Sequence, residues 1–145
     1  MSGVLSLKII TPERIVLDEK VDEVMARAID GDFSILPNHE PMITALAIDV
    51  IRYKIGKEEH IAAVLGGLLE VGENEVTVLS DVAELETEID VAKAHDEKAF
   101  HEAEKATKTD KIEVQLSQMA LSKAMARLKA AELGKRRRGG RHIEN

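Results

Sequence analysis

The spacing of apolar residues changes once along this chain, near Thr87, and that change constrains the fold more than any single motif. Up to about Ala83 the apolar residues fall in short runs broken by turn signals, the pattern of half-buried strands. LSLKII is followed by TPE, RIVL by DEK, and VDEVMARAI ends at DGD. After a PNHEP loop come MITALAIDVIRYKI, then HIAAVLGG, GLLEV, the turn GEN and EVTVLS. Val76 and Val78 alternate with Thr77 and Leu79, and Ile51 and Tyr53 with Arg52 and Lys54. The connections are too short for crossover helices, so these strands pair antiparallel, as a sandwich or barrel. Gly66-Gly67 interrupts what would be one strand, as a bulge or a close backbone approach does.

Beyond Thr87 the spacing is helical. The run TEID predicts a capping box, with Thr87 as N-cap and Asp90 at N3. Ile89, Ala92, Ala99, Phe100, Ala103 and Ala106 then recur at helical intervals. After TKTD, Asp110 and Glu113 predict a second helix start. Its apolar series is Ile112, Leu116, Met119, Ala120, Ala124, Leu128 and Ala131, closing at Gly134, a natural C-cap. The expected fold is α+β by segment. An N-terminal antiparallel β-sandwich (1–86) precedes a C-terminal antiparallel two-helix hairpin (87–134) and a basic tail (135–145). The helix faces are mostly alanine and bury little area, at about 0.8 kcal/mol per CH₂. A seam of that kind is compatible with a marginal hairpin that opens or re-docks, the alternative being a hairpin that stays docked.

Composition excludes several functions. There is no Cys, hence no disulfide, thiolate chemistry or Cys-ligated zinc. The net charge of −7, with two Phe, one Tyr and no Trp, leaves neither an electrostatic footprint nor a stacking platform for nucleic acid. The start MSGVLSLKIITPE is not expected to be a signal peptide, and no window approaches the apolar length of a membrane span. Basic residues crowd at the end, at Lys135, Arg136, Arg137, Arg138 and Arg141, and predict a solvated end or an acidic protein partner.

Catalytic motifs are missing. His39-Glu40 is followed by Pro41-Met42-Ile43, so no HExxH forms, and a metallohydrolase around His39 lacks ligands. His95 and His101 fall on different helix faces. There is no P-loop and no nucleophile elbow, and GGLLEVG lacks the strand-to-helix setting of a dinucleotide fingerprint. The alternative for His39 is an exposed corner, held between Pro37 and Pro41, that docks on another protein.

The residues around that corner resemble the epsilon subunit of F-type ATP synthases, whose members carry G-x-x-G-I-L-P-x-H-x-P-x-x-T. Here it reads Gly31, then Ile35-Leu36-Pro37-Asn38-His39-Glu40-Pro41, with Thr44 closing it; Ser34 stands where the family often has Gly. A second stretch, GGLLEVGENEVTVLSDVAE from Gly66 to Glu84, is similar to the family's G-G-F-x-E-V-x-x-N-x-V-T-V-L-A-D, with Leu68 in place of the aromatic. The order of β-rich part and Ala-rich hairpin also agrees.

The resemblance implies a non-catalytic regulatory subunit of the central stalk that couples rotation to ATP synthesis. Its β-sandwich would clamp the gamma subunit and rest on the c-ring. Its hairpin would extend into the catalytic head of alpha and beta subunits and block ATP hydrolysis. Asp30, Gly31, Asp32 and His39 become expected partner contacts at the base of the stalk. Arg136, Arg137 and Arg138 become contacts with acidic segments of the head. The expected location is peripheral, on the cytoplasmic face of a bacterial membrane, reached only through the complex. No cofactor is required. In some bacterial members the folded hairpin binds ATP as a regulatory ligand through I/L-D-x-x-R-A. This chain has Ile89-Asp90-Val91-Ala92-Lys93-Ala94, with Glu84 at the family's acidic position and Lys123 and Arg127 where those relatives have two Arg. Lys93 keeps the charge without the bidentate fork, and Phe100 stands where those relatives carry a further base. The runner-up reading is a stand-alone ATP-sensing module using Asp90, Lys93 and Arg127.

Overall fold

The computed structural model describes residues 4–144, and the side chains of 4–137. Eight strands come first: β1 (Leu5–Ile10), β2 (Ile15–Val21), β3 (Glu23–Ala28), β4 (Gly31–Ile35), β5 (Met42–Ile55), β6 (Glu58–Gly72), β7 (Glu75–Leu79) and β8 (Ala83–Leu85). A 3-10 turn (Glu86–Glu88) leads to helices α1 (Val91–Thr107) and α2 (Lys111–Glu144). The strand order is β2-β1-β7-β6-β5-β3-β4, with β8 also paired to β6. Every pairing is antiparallel except β1 with β7. That one parallel pair needs no crossover helix, because the intervening strands β2 to β6 form the connection.

Alternation decides the core. Leu5, Leu7 and Ile9 of β1, Val24 and Ala26 of β3, and Val76 and Val78 of β7 point into one cluster with Ile51, Tyr53, Val64 and Leu69. The charged run Asp18–Lys20, expected to end β2, lies within it and is exposed. As the first strand in the order, β2 is an edge, where charge is tolerated and discourages pairing with other chains. Gly31 and Asp32, expected in the DGD turn, join residues 33–35 in β4 by pairing with β3.

The two runs HIAAVLGG and GLLEV are a single strand, β6. Ala62 and Val64 face the core before Gly66-Gly67, and Leu69 and Val71 face it afterwards. The inward parity therefore changes at the glycines. β5 changes with it: Leu46 points inward, Ile48 outward and Ile51 inward again. The ladder keeps its register through Leu46↔Gly67 and Ile48↔Leu65 but omits the pair between them. Gly66 adopts φ +84°, which suits this rotation. A Cβ on Gly67 would stand 2.1 Å from the Leu79 carbonyl oxygen, so the expected close backbone approach is present.

The helices depart further from expectation. Asp90, not Thr87, is the N-cap of α1, accepting from the Lys93 amide at 3.0 Å, while Thr87 sits in the 3-10 turn. Ile89 is extended, so no capping box forms there. Asp110 caps α2 as expected, accepting from the amides of Ile112 and Glu113. Gly134 does not end α2, which continues to Glu144 and absorbs the basic segment expected to be a tail.

Candidate functional site

The outer face of β5 and β6 is where the hairpin docks. Val50, Ile61, Ala63 and Leu65 form a small second core with Ala126 and Ala130 of α2, flanked by Ile48, Val82, Ile89 and Leu133. Three bases of α2 reach carboxylates of the sheet region beside it. Arg127 meets Glu84 at 2.7 Å, Lys129 meets Asp49 at 2.7 Å, and Arg137 meets Glu86 at 2.9 Å. The docked position therefore combines a thin apolar patch with three ion pairs.

The seam between α1 and α2 is only in part the expected alanine face. Ala92, Ala99, Phe100, Ala103 and Ala106 of α1 are exposed, as are Ile112, Leu116 and Met119 of α2. Ala94 of α1 and Ser117, Leu121 and Ala124 of α2 are buried. Polar contacts join the helices: Arg127 to Glu97 at 3.4 Å, the Ser117 hydroxyl to Glu104 at 2.8 Å, and Lys105 to Gln118. The Ser117 hydrogen bond, helped by neighbouring His101, holds the Glu104 carboxyl below its ordinary value.

These contacts gather part of the expected nucleotide set. Glu84 and Arg127 are in direct contact, with Glu97 on the other side of the guanidinium. Lys93 stands one turn before Glu97, and Lys123 one turn before Arg127, so both flank this crossing. Neither lysine pairs with a carboxylate among the described residues. Asp90 is engaged as the helix cap, Ala94 is buried and Ile89 packs in the second core. Glu97 was not singled out in the sequence, because 27 acidic residues offer many pairs at helical spacing. Its separation of four from Lys93 is the available signal.

The expected partner contacts fall in separate places. Ile29 and Asp30 form the exposed turn between β3 and β4, followed by Gly31 at φ +148°. Asp32 pairs with Arg27 at 2.7 Å, which holds its carboxyl low. It lines a charged cleft of about 390 Å³ with Arg27, Asp49, Arg52 and Lys129. His39 lies beyond the far end of β4, a strand roughly 16 Å long at 3.3 Å per residue. Its Nδ1 donates to the Glu40 carbonyl at 2.7 Å. The corner is fixed by more than its prolines. Asn38 is left-handed, at φ 67°, and its amide donates to the side chain of Asn74 at 2.8 Å. Asn74 is the residue the sequence reading missed here; its place in the GEN turn was the clue.

Arg136 pairs with Glu132 in solvent, Arg137 is half-buried, and the side chain of Arg138 lies outside the described residues. Among the described residues no group of His, Asp or Glu is arranged to hold a metal, and no helix is long and apolar enough to cross a membrane.

The comparisons with known proteins fit this architecture. The family model for the ATP synthase delta/epsilon chain, beta-sandwich domain, matches residues 4–86; that for the long alpha-helix domain of the same chain matches 87–132. The ATP synthase epsilon chain of Syntrophobacter fumaroxidans is 40% identical over 132 residues, covering 91% of this chain and 98% of its own. That of Symbiobacterium thermophilum is 45% identical over 128 residues, covering 88% and 92%. Among solved structures, a chain of the Euglena gracilis mitochondrial ATP synthase OSCP/F1/c-ring assembly superposes with TM-score 0.76 at 21% identity, covering 89% of this chain and 81% of its own. A chain of the Tetrahymena thermophila mitochondrial ATP synthase central stalk and c-ring gives 0.62 at 13%, covering 88% and 96%. The delta/epsilon chain is a stalk subunit, distinct from the catalytic subunits. With both domain models matching in order across 4–132, the chain belongs to the ATP synthase delta/epsilon family.

Proposed function

We propose that this chain couples rotation of the gamma subunit and c-ring to ATP synthesis, and restrains ATP hydrolysis through its C-terminal hairpin. The observation that carries the regulatory part is the orientation of the hairpin. Inward it buries mainly alanines, Leu121 and a few polar contacts, while the larger Phe100, Ile112, Leu116 and Met119 face solvent. A helix pair that leaves its larger apolar side chains outward has surface to bury elsewhere. The small second core and its ion pairs make leaving the sheet less costly than unfolding the sandwich.

The test is reconstitution with a gamma-containing catalytic head. Full-length chain should co-purify with gamma and slow ATP hydrolysis. Phe100→Ser with Leu116→Gln, both at exposed positions, should keep co-purification and relieve the inhibition. Equal inhibition by both proteins refutes the regulatory role, and failure to co-purify with gamma refutes the coupling role.

A second reading, ATP binding to the docked hairpin, is supported by Lys93 and Lys123 flanking Arg127. A nucleotide would compete with Glu84 and Glu97 for that guanidinium. Binding restricted to the docked form stabilises it by RT ln(1 + [L]/Kd), so a thermal-shift titration to millimolar ATP should raise Tm. No shift removes this reading.

A further inference from the structure

We propose that Glu86, Gly134 and Arg137 form a latch that sets how readily the hairpin leaves the sheet. Glu86 lies in the 3-10 turn between the two domains and is buried. Its carboxylate rests against α2 at Gly134, so closely that a Cβ there would fall 1.5 Å from Oε2 and 2.3 Å from the carboxyl carbon. One turn further, Arg137 reaches Oε1 at 2.9 Å, with side-chain exposures of 21% for the arginine and 5% for the glutamate. The Arg137 Nε is enclosed without an acceptor. A glycine inside a helix is unfavourable relative to alanine. Here it supplies the notch that admits the carboxylate. Gly134 and Arg137 both lie beyond residues 87–132, the stretch matched by the family's helical-domain model.

The physics of a buried pair makes this a latch more than a glue. Bringing both charges out of water nearly offsets their attraction, so the intact pair adds little net stability. Removing Arg137 takes a charged partner from the buried Glu86 carboxylate in the docked state, whereas undocking returns that carboxylate to water. A change at this contact should therefore act on the docking equilibrium and leave the sandwich alone. The regulatory meaning of the latch rests on the hairpin reading above, but its test does not, because it uses the isolated full-length chain.

The experiment is hydrogen exchange read by mass spectrometry on the unmodified chain and on Gly134→Ala, Arg137→Gln and Arg136→Gln. Ordinary helix propensity predicts that Gly134→Ala slows exchange in α2. The latch predicts the opposite: Gly134→Ala and Arg137→Gln each speed exchange across residues 121–133 about tenfold or more. Peptides of β6 and β7 should be unchanged, as should Arg136→Gln, whose side chain pairs with Glu132 in solvent. Unchanged or slower α2 exchange in Gly134→Ala overturns the proposal. So does a parallel rise in β6 and β7, which marks a core contact, or an equal effect of Arg136→Gln, which marks a general charge effect. Should the unmodified α2 exchange as slowly as the sandwich, the mobile-hairpin reading fails, while the variant differences still decide the latch.

Discussion

Strands β5 and β6 carry two cores on opposite faces, and the two are built differently. The inner face places Ile51, Tyr53, Ala62 and Val64 against leucines, isoleucines and valines from β1, β2, β3, β4 and β7. The outer face places Val50, Ile61, Ala63 and Leu65 mainly against Ala126 and Ala130. An alanine contributes one methyl where leucine contributes a full side chain, so burial per contact is far smaller outside. Ion pairs make up part of the difference, and pairs near the surface contribute only about 0–1 kcal/mol each. The same two strands thus anchor a densely packed sandwich on one face and a thinly packed hairpin on the other.

The largest expected effect comes from cutting into the inner core. Leu7→Ala should lose about 2–5 kcal/mol in urea denaturation, and the whole sandwich should unfold at lower denaturant. On the other face, Ala130→Leu overpacks a fully buried site, at about 1–3 kcal/mol. That variant should free the hairpin to proteolysis and leave the sandwich melting unchanged. A sandwich that melts with the hairpin in Ala130→Leu would break the comparison, because it would make the two cores one cooperative unit.

A smaller effect concerns pH. The Glu104 carboxyl is held low by Ser117, so its folded value lies beneath its unfolded one. Its contribution is present above the unfolded carboxylate range and is lost as pH falls through the folded value. Hairpin protection should weaken on acidification from neutral pH, and Ser117→Ala should make that acid-dependent loss smaller. An acid profile identical in the two proteins would show that Glu104 does not set it. The smallest effect is at His39, whose ring hydrogen-bonds the neighbouring Glu40 carbonyl. His39→Ala should change stability by no more than about 0.5 kcal/mol, with any deficit appearing in gamma or c-ring binding. Gross unfolding would place His39 in the core instead.

The burial of Tyr53 illustrates why local reading reached the sandwich well. Alternation with Arg52 and Lys54 marks it as inward, and the structure buries it enough to push its hydroxyl up to about 12. Strand patterns carry their own orientation, because a period of two leaves only two faces to choose between. The helices offer no such constraint. Alanines occur around α1, so periodicity selected Ala99 and Ala103, and the structure turned Ala94, Glu97 and Glu104 toward α2 instead. The expected site fared accordingly: Glu84 and Arg127 meet, yet Glu97 and Asn74 emerge only once distant elements are packed.

The sequence by itself determined the order of elements, the change of period near Thr87, the Asp110 cap and the family signature from Gly31 to Thr44, because each depends on neighbours within a turn or two. Tertiary structure decided which side of the hairpin faces inward, that β5 and β6 exchange faces at Gly66, and that Gly134 is a notch for Glu86 and not a helix end. Those outcomes depend on groups up to 80 residues apart, as Asp49 and Lys129 are, and no local preference encodes a contact made only when two separate surfaces close on each other.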